Sequence, residues 1–304
     1  MKYLIIGAGG TGGCMGAYMT QAGKDVTLIA RGAHLKAMQE TGLRMETTSK
    51  GNFTVENIQA TDMEHYNEKP DVIFVCVKGY SLDETIPFIR RVAKPESVVI
   101  PVLNIYGTGS RMQKELPDLL VTDGCIYIVG LIKEPGCLLQ SGNLFKVVFG
   151  VREAGEYRSI LAEVKKDLED SGITCVLSDN IRKDAMRKFS YISPAAACGQ
   201  YYRAASDDIQ KPGEIRETFK ALIKEVMELS KAMGITFEED MVVTNLAIMD
   251  TLAPGVKTSM QRDVEAGKKS ELDGLVYSVA RMGKEYGIEL PTYQKISQKL
   301  KQEE

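Results

Sequence analysis

The sequence predicts an α/β protein: an N-terminal Rossmann-type parallel-sheet domain followed by an all-helical C-terminal domain. Three observations carry that expectation. A short apolar run from Lys2 to Ile6 meets the series Gly7-Ala8-Gly9-Gly10-Thr11-Gly12-Gly13 at once. Strand-like and helix-like patterns then alternate through the first half, as parallel strands joined by crossover helices require. Past Ser178 the apolar residues recur only at helical spacing. A chain of 304 residues, 44% hydrophobic and 26% charged, can bury a sizeable core as two domains, and the pattern divides it into residues 1–178 and 179–304.

Taken in order, residues 2–6 read as a strand and 10–22 as a helix. A second strand spans 25–30 and a second helix 32–41. Val72-Ile73-Phe74-Val75-Cys76-Val77, inside a strand expected over 71–77, is apolar throughout, as a strand buried on both faces must be. A helix over 81–91 and a strand over 97–102 follow. The alternation then stops. Within residues 119–150, Val121 to Val129, Leu138 to Gln140 and Leu144 to Gly150 read as antiparallel strands broken by Pro135-Gly136 and Ser141-Gly142-Asn143. A helix near 156–170 and a strand near 173–177 close the domain. Beyond it, Ile215, Phe219, Leu222, Ile223 and Val226 mark one helix and Leu272, Leu275, Val276 and Val279 another, with breaks at Gly234 and Pro254-Gly255.

Gly7, Gly9 and Gly12 stand in the spacing G-x-G-x-x-G between a strand and a helix, so each has a mechanical task. Gly7 permits the tight turn, Gly9 lets the backbone approach a pyrophosphate, and Gly12 lets the helix pack closely on the sheet. The helix N-terminus then offers N–H groups and a positive dipole end to the phosphates. Gly7, Ala8, Gly9, Gly10, Thr11 and Gly12 are therefore the expected dinucleotide-binding loop. NAD sites place Asp or Glu about 20 residues past the glycines, on the ribose 2′-OH. Here that slot, after Asp25-Val26-Thr27-Leu28-Ile29-Ala30, holds Arg31. A guanidinium pairs with a 2′-phosphate and has no use for a neutral diol, so the expected cofactor is NADP, used as NADPH.

Composition excludes other classes. A net charge of −3 with no basic stripe gives no footprint for nucleic acid. No apolar run approaches the roughly 18 residues of a membrane span, and the run after Lys2 is too short for a secretory signal. Six cysteines lie scattered with no C-x-x-C pair, and the two histidines, His34 and His65, lie far apart. No metal site is expected, and a reducing cytoplasm fits. With so little histidine, an acid or base would be Lys, Tyr, Asp or Glu. None of the 13 tyrosines is followed four residues on by lysine, which removes the Tyr-x-x-x-Lys of short-chain dehydrogenases.

Nearly end to end, the chain resembles the ketopantoate reductase (2-dehydropantoate 2-reductase) family. The resemblance runs through Gly7 to Gly12 with Arg31, Val75-Cys76-Val77-Lys78-Gly79-Tyr80, Asn104 after a strand, and the Pro135-Gly136 hairpin leading to Gly150. In the helical half it rests on Asn180-Ile181-Arg182, Arg187-Lys188-Phe189, Thr258-Ser259-Met260-Gln261-Arg262-Asp263, Ser270-Glu271-Leu272-Asp273-Gly274 and Gly287-Ile288-Glu289-Leu290-Pro291. It implies hydride transfer from NADPH to the keto carbon of a small-molecule 2-oxo acid, ketopantoate in pantothenate biosynthesis being the first candidate. Lys188 would donate the proton as catalytic lysine, with Glu271 as the catalytic carboxylate beside it. Asn104 and Ser259 would bind substrate. Lys78 and Asn104 would lie at the cofactor, on the nicotinamide side.

The residues alone leave duller readings open. Lys188 could be a solvated helix lysine. Ser270-x-x-Asp273 and Thr258-x-x-Gln261 read as helix N-caps, with Glu271 and Ser259 merely in first turns. The sequence also departs from the family. Asn104 is followed by Ile105 rather than Gly, and Ile192 and Ala196 stand where the family carries asparagines four and eight residues past its lysine. A different, more apolar 2-oxo acid is one alternative, an opine or hydroxyacid-type dehydrogenase a second, and a non-catalytic NADPH-binding regulator a third. A homodimer is compatible with the sequence.

Overall fold

The computed structural model describes residues 1–303. It divides into two compact units, residues 1–103 with 107–181, and residues 104–106 with the described residues from 182 onward. The division thus falls at Ile181/Arg182 rather than after residue 178, and the short segment Asn104–Tyr106 belongs with the helical unit.

In the first unit, β1 (Lys2–Ile6), β2 (Asp25–Ile29), β5 (Gln59–Thr61), β6 (Val72–Val75), β7 (Val98–Pro101) and β8 (Leu120–Val121) form an all-parallel sheet in the order β5-β2-β1-β6-β7-β8. Side chains alternate across it, as the strand period of two demands. Tyr3, Ile5, Val72, Phe74, Val98 and Ile100 fill the core on one face. Leu4, Ile6, Ile73, Val75, Val99 and Val121 fill the core on the other. The crossovers are α1 (Gly12–Gln21), α2 (Gly32–Thr41), α3 (Leu82–Val92) and α4 (Thr108–Glu115).

A second sheet contains β3 (Leu43–Thr47), β4 (Phe53–Val55), β9 (Asp123–Glu134), β10 (Cys137–Gly150) and β11 (Thr174–Leu177), with α5 (Ile160–Asp170) before β11. β9 and β10 are antiparallel across the Pro135-Gly136 turn, whereas β10 runs parallel to β3 and β11. Two expectations need correction. Ser141-Gly142-Asn143 does not break the strand: β10 runs through it, and the extra residues appear as a register shift between Ser141 and Lys146. The stretch from Val121 to Val129 is not one strand, because the chain leaves the parallel sheet at Thr122 and enters the second sheet at Asp123. The strands β3, β4 and β5 and the helix α4 add to the elements that the sequence pattern predicts.

The second unit is helical: α6 (Ile181–Tyr202), α7 (Ser206–Gln210), α8 (Glu214–Ala232), α9 (Met241–Asp250), α10 (Ser259–Glu265), α11 (Ser278–Glu285) and α12 (Pro291–Glu303). A π-helical turn, Asp273–Tyr277, leads into α11. Phe219, Leu222, Ile223 and Val226 of α8 pack with Leu275, Val276 and Tyr293 in its core. No described helix is long and apolar enough to cross a membrane.

Candidate active site

In the first unit the glycine loop connects β1 to α1, and the glycines do three different things. Gly7 has φ +102°, and a Cβ there would sit 3.0 Å from the Cys76 carbonyl oxygen. Gly12 allows α1 to close on the sheet, since a Cβ would lie 2.7 Å from Cys76 Cβ and 2.9 Å from Ile5 Cγ2. Gly9 is the contrast: a Cβ there would meet nothing within 4 Å. Protein packing therefore does not demand a glycine at position 9, whereas a group laid against the loop would. That open cradle fits a pyrophosphate at the start of a helix whose first turn has no side-chain cap. The N–H groups of Gly7 and Ala8 both donate to the Ile29 carbonyl at 3.1 Å, which fixes the turn to the end of β2.

Arg31 follows that strand at the N-cap of α2, in extended backbone with an exposed side chain. Among the described residues its guanidinium has no carboxylate partner. Lys78 lies half-buried just past β6 and opens the short turn Gly79–Ser81, where the Ser81 N–H donates to the Lys78 carbonyl at 2.9 Å. Burial pushes the Cys76 thiol well above its ordinary value and the Cys14 thiol up to about 12. Neither thiol beside the loop is therefore a nucleophile at neutral pH.

In the second unit three adjacent residues gather the chemistry. The Asn104 side-chain carbonyl accepts a hydrogen bond from Lys188 Nζ at 2.7 Å. Ile105 lies directly over Gly274, where an added Cβ would overlap its Cδ1 and sit 2.7 Å from its Cγ1. The Tyr106 ring packs on Phe189, with centroids 5.9 Å apart. The segment 104–106 thus touches both α6, which carries Lys188, and the π-helical turn that follows Glu271. Lys188 is only 7% exposed, so the solvated reading of this residue is wrong. An ammonium taken out of water in this way must be held by polar partners, and the Asn104 carbonyl is one of them.

Glu271 is buried as well, at 4% exposure. The Ser270 Oγ accepts from Leu272 N–H at 3.4 Å, the bond a helix N-cap makes, and helical hydrogen bonding begins at once with Leu275 N–H donating to the Glu271 carbonyl at 2.9 Å. Thr258 and Gln261 do form a reciprocal capping box, the Gln261 N–H donating to Thr258 Oγ1 and the Thr258 N–H to Gln261 Oε1. Ser259 is therefore the first residue of α10, half-buried. Among the described residues it is not hydrogen-bonded to Lys188 or Asn104.

Ser193 and Tyr293 carry no signal in the sequence. The Ser193 hydroxyl donates to the Leu275 carbonyl at 2.6 Å, so the Tyr293 hydroxyl, also 2.6 Å away, donates to Ser193. This buried chain fastens the π-helical turn, and with it the Glu271 segment, to α6. A serine inside an apolar stretch cannot be singled out without the fold. Of the other two departures named above, Ala196 is wholly buried in the helical core and Ile192, one turn past Lys188, is partly buried against it.

Known proteins resemble this chain over both units. The family description "Ketopantoate reductase PanE/ApbA" matches residues 3–154, and "Ketopantoate reductase PanE/ApbA C terminal" matches residues 180–304. The chain is 26% identical over 302 residues to the uncharacterized oxidoreductase YkpB of Bacillus subtilis (strain 168), covering 97% of this chain and 96% of that one. It is 23% identical over 299 residues to the 2-dehydropantoate 2-reductase of Nostoc sp. (strain PCC 7120), covering 95% and 91%. The solved 2-dehydropantoate 2-reductase from Porphyromonas gingivalis W83 superposes with a TM-score of 0.83 at 26% identity, covering 99% of each chain. The chain belongs to the ketopantoate reductase family, NAD(P)-dependent oxidoreductases that act on 2-oxo and 2-hydroxy acids.

Proposed function

We propose that the chain uses NADPH to reduce a 2-oxo acid to a 2-hydroxy acid, with ketopantoate, reduced to pantoate for pantothenate biosynthesis, as the first candidate. The observation that carries this reading is the buried Lys188 ammonium held by the Asn104 carbonyl at 2.7 Å. A regulator that only senses NADPH needs no such group.

When bound, the reduced nicotinamide supplies a hydride to the keto carbon. The remaining work falls to the chain. The loop from Gly7 to Gly12 cradles the pyrophosphate, Gly9 leaving room for it, and Arg31 pairs with the 2′-phosphate. Lys78 and Asn104 border the nicotinamide. Lys188, aimed by Asn104, stabilises charge growing on the keto oxygen and passes it a proton from Nζ. Glu271 holds the substrate hydroxyl and the ammonium, and Ser259 binds the substrate's polar end. The protein would act in the cytoplasm, with a homodimer as the assembly to test by sedimentation.

One observation favours a second substrate. Where the family carries two asparagines this chain has the buried Ala196 and the apolar Ile192, and Ile105 adds apolar bulk beside Asn104. A 2-oxo acid with an apolar branched chain would suit such surroundings better than ketopantoate with its hydroxyl. Following NADPH oxidation with a panel of 2-oxo acids tests both readings. Ketopantoate as the best substrate rejects the apolar preference, and no turnover of any 2-oxo acid rejects the enzyme.

A further inference from the structure

We propose that His34 is a positioning residue for the dinucleotide loop: a neutral imidazole protonated on Nε2, it ties the Ala8 carbonyl to the hairpin turn at Gly136 and so sets nucleotide affinity. The proposal rests on the reading of Gly7 to Gly12 as the loop that takes the dinucleotide.

The tautomer follows from the partners. Gly136 N–H lies 3.0 Å from His34 Nδ1, and a backbone N–H can only donate, so Nδ1 must present its lone pair. The ring proton is then on Nε2, which donates to the Ala8 carbonyl at 2.9 Å. Both ring nitrogens are used, in opposite senses. Ala8 is consequently held at both ends, its N–H on the Ile29 carbonyl and its carbonyl on His34. The next residue is Gly9, whose open side is the cradle.

The hairpin end is equally fixed. The Gly136 carbonyl accepts from the Arg44 N–H at 2.9 Å, and a Cβ on Gly136, at φ +76°, would meet Ala37 Cβ of α2 at 2.9 Å. The same hairpin presses on the loop a second time, because a Cβ on Gly10 would overlap the Gly130 carbonyl and lie 2.6 Å from the Leu131 nitrogen. His34 is the side-chain half of a clamp whose backbone half is Gly10 against Gly130.

A second proton on the ring would set Nδ1–H against Gly136 N–H, donor against donor, and open the clamp. Burial lowers the His34 pKa below its ordinary 6.5, with the Ala8 carbonyl opposing, so the ring is neutral at pH 7. Charged groups on the elements packed around it are Arg31, Lys36 and Glu40 of α2, Arg44 and Glu46 of β3, and Lys133 and Glu134 of the hairpin. Arg44 pairs with Glu134 and Glu46, Lys133 with Glu46, and Lys36 with Glu40. None of them contributes to the His34 shift. The sign is therefore set: the clamp holds above the lowered value and fails as pH falls through it.

The chain's two histidines make the test direct. Protein labelled with ¹⁵N-histidine gives two imidazoles, and exposed His65, whose pKa Asp62 raises, is the internal reference. The expected spectrum shows one ring as the Nε2–H tautomer at neutral pH, titrating below 6.5 and absent from His34→Gln. An Nδ1–H tautomer, or titration of that ring at or above 6.5, overturns the clamp. NADPH fluorescence titrations over pH 5.5–8 read its consequence. The His34→Gln amide can accept from Gly136 and donate to Ala8, so neutral-pH affinity should stay within about 3-fold, while His34→Leu should lose about 10-fold at neutral pH, where the wild-type clamp holds. The 2′-phosphate itself titrates near pH 6, so the pH effect is the difference between the two profiles. Wild type should weaken more steeply than His34→Gln on the acid side. Coincident profiles, or undiminished binding by His34→Leu, overturn the positioning role. Failure of wild type to bind NADPH or NADH at any pH would instead reject the loop as a dinucleotide site, and the proposal with it.

Discussion

Gly274→Ala tests whether the segment 104–106 is truly seated on the turn after Glu271. The added methyl would overlap Ile105 Cδ1 and stand 2.7 Å from Cγ1 and 3.5 Å from Cγ2. Overpacking of this kind costs about 1–3 kcal/mol. Exchanging Gly for Ala in a helical turn returns about 1 kcal/mol, so the net loss should lie between about 0 and 2 kcal/mol. In an Ile105→Ala background both clashing atoms, Cδ1 and Cγ1, are gone. There the same exchange should stabilise by up to ~1 kcal/mol. The sign of one substitution thus reverses with its neighbour, for a coupling energy of about 1–3 kcal/mol. Urea denaturation of the four proteins, followed through the transition of the helical unit, measures it. Turnover should follow, since displacing Ile105 also displaces Asn104 from Lys188. Additivity within about 0.5 kcal/mol would refute the seating of Ile105 on Gly274.

Arg31→Ala should weaken NADPH by about 10- to 150-fold, the worth of a charge-assisted contact, and leave NADH nearly unchanged; equal wild-type affinities for the two would contradict the NADP reading. Gly9→Ala should fold with stability within about 0.5 kcal/mol of wild type yet lose dinucleotide affinity, because its added methyl meets no protein atom within 4 Å. Gly12→Ala should do the reverse in thermal melts and destabilise, since its methyl would strike Cys76 and Ile5. Glu271→Ala should harm both kcat and KM, and combining it with Lys188→Ala should be little worse than the poorer single change, as expected of groups acting as a unit; multiplicative losses would separate their roles.

What the sequence makes legible is local. The glycine spacing, the apolar strands and the helix periodicities lie within short windows, and β1, β2, α2 and α8 form close to where those windows put them. β4 and β5 are three residues each, too short for a period to show. Ser141-Gly142-Asn143 carries every mark of a turn, but pairing with β9 on either side draws the chain through as one irregular strand. α4 opens at Gly107 in the left-handed region and has little apolar character to announce it. The same division holds at the site. Resemblance to a family picks out Lys188, Asn104 and Glu271, yet the carbonyl that accepts from the Lys188 ammonium lies 84 positions away. No local pattern can show that, and the Ser193–Tyr293 bond, across 100 positions, is equally hidden.

Whether Lys188 is the proton donor is decided by steady-state NADPH oxidation with the best 2-oxo acid of a panel, comparing wild type with Lys188→Ala at saturating cofactor. Wild type should turn the 2-oxo acid over to the 2-hydroxy acid, and the variant should show a kcat about 10²–10⁴-fold lower with NADPH affinity unchanged. Near-normal turnover by Lys188→Ala would contradict that role.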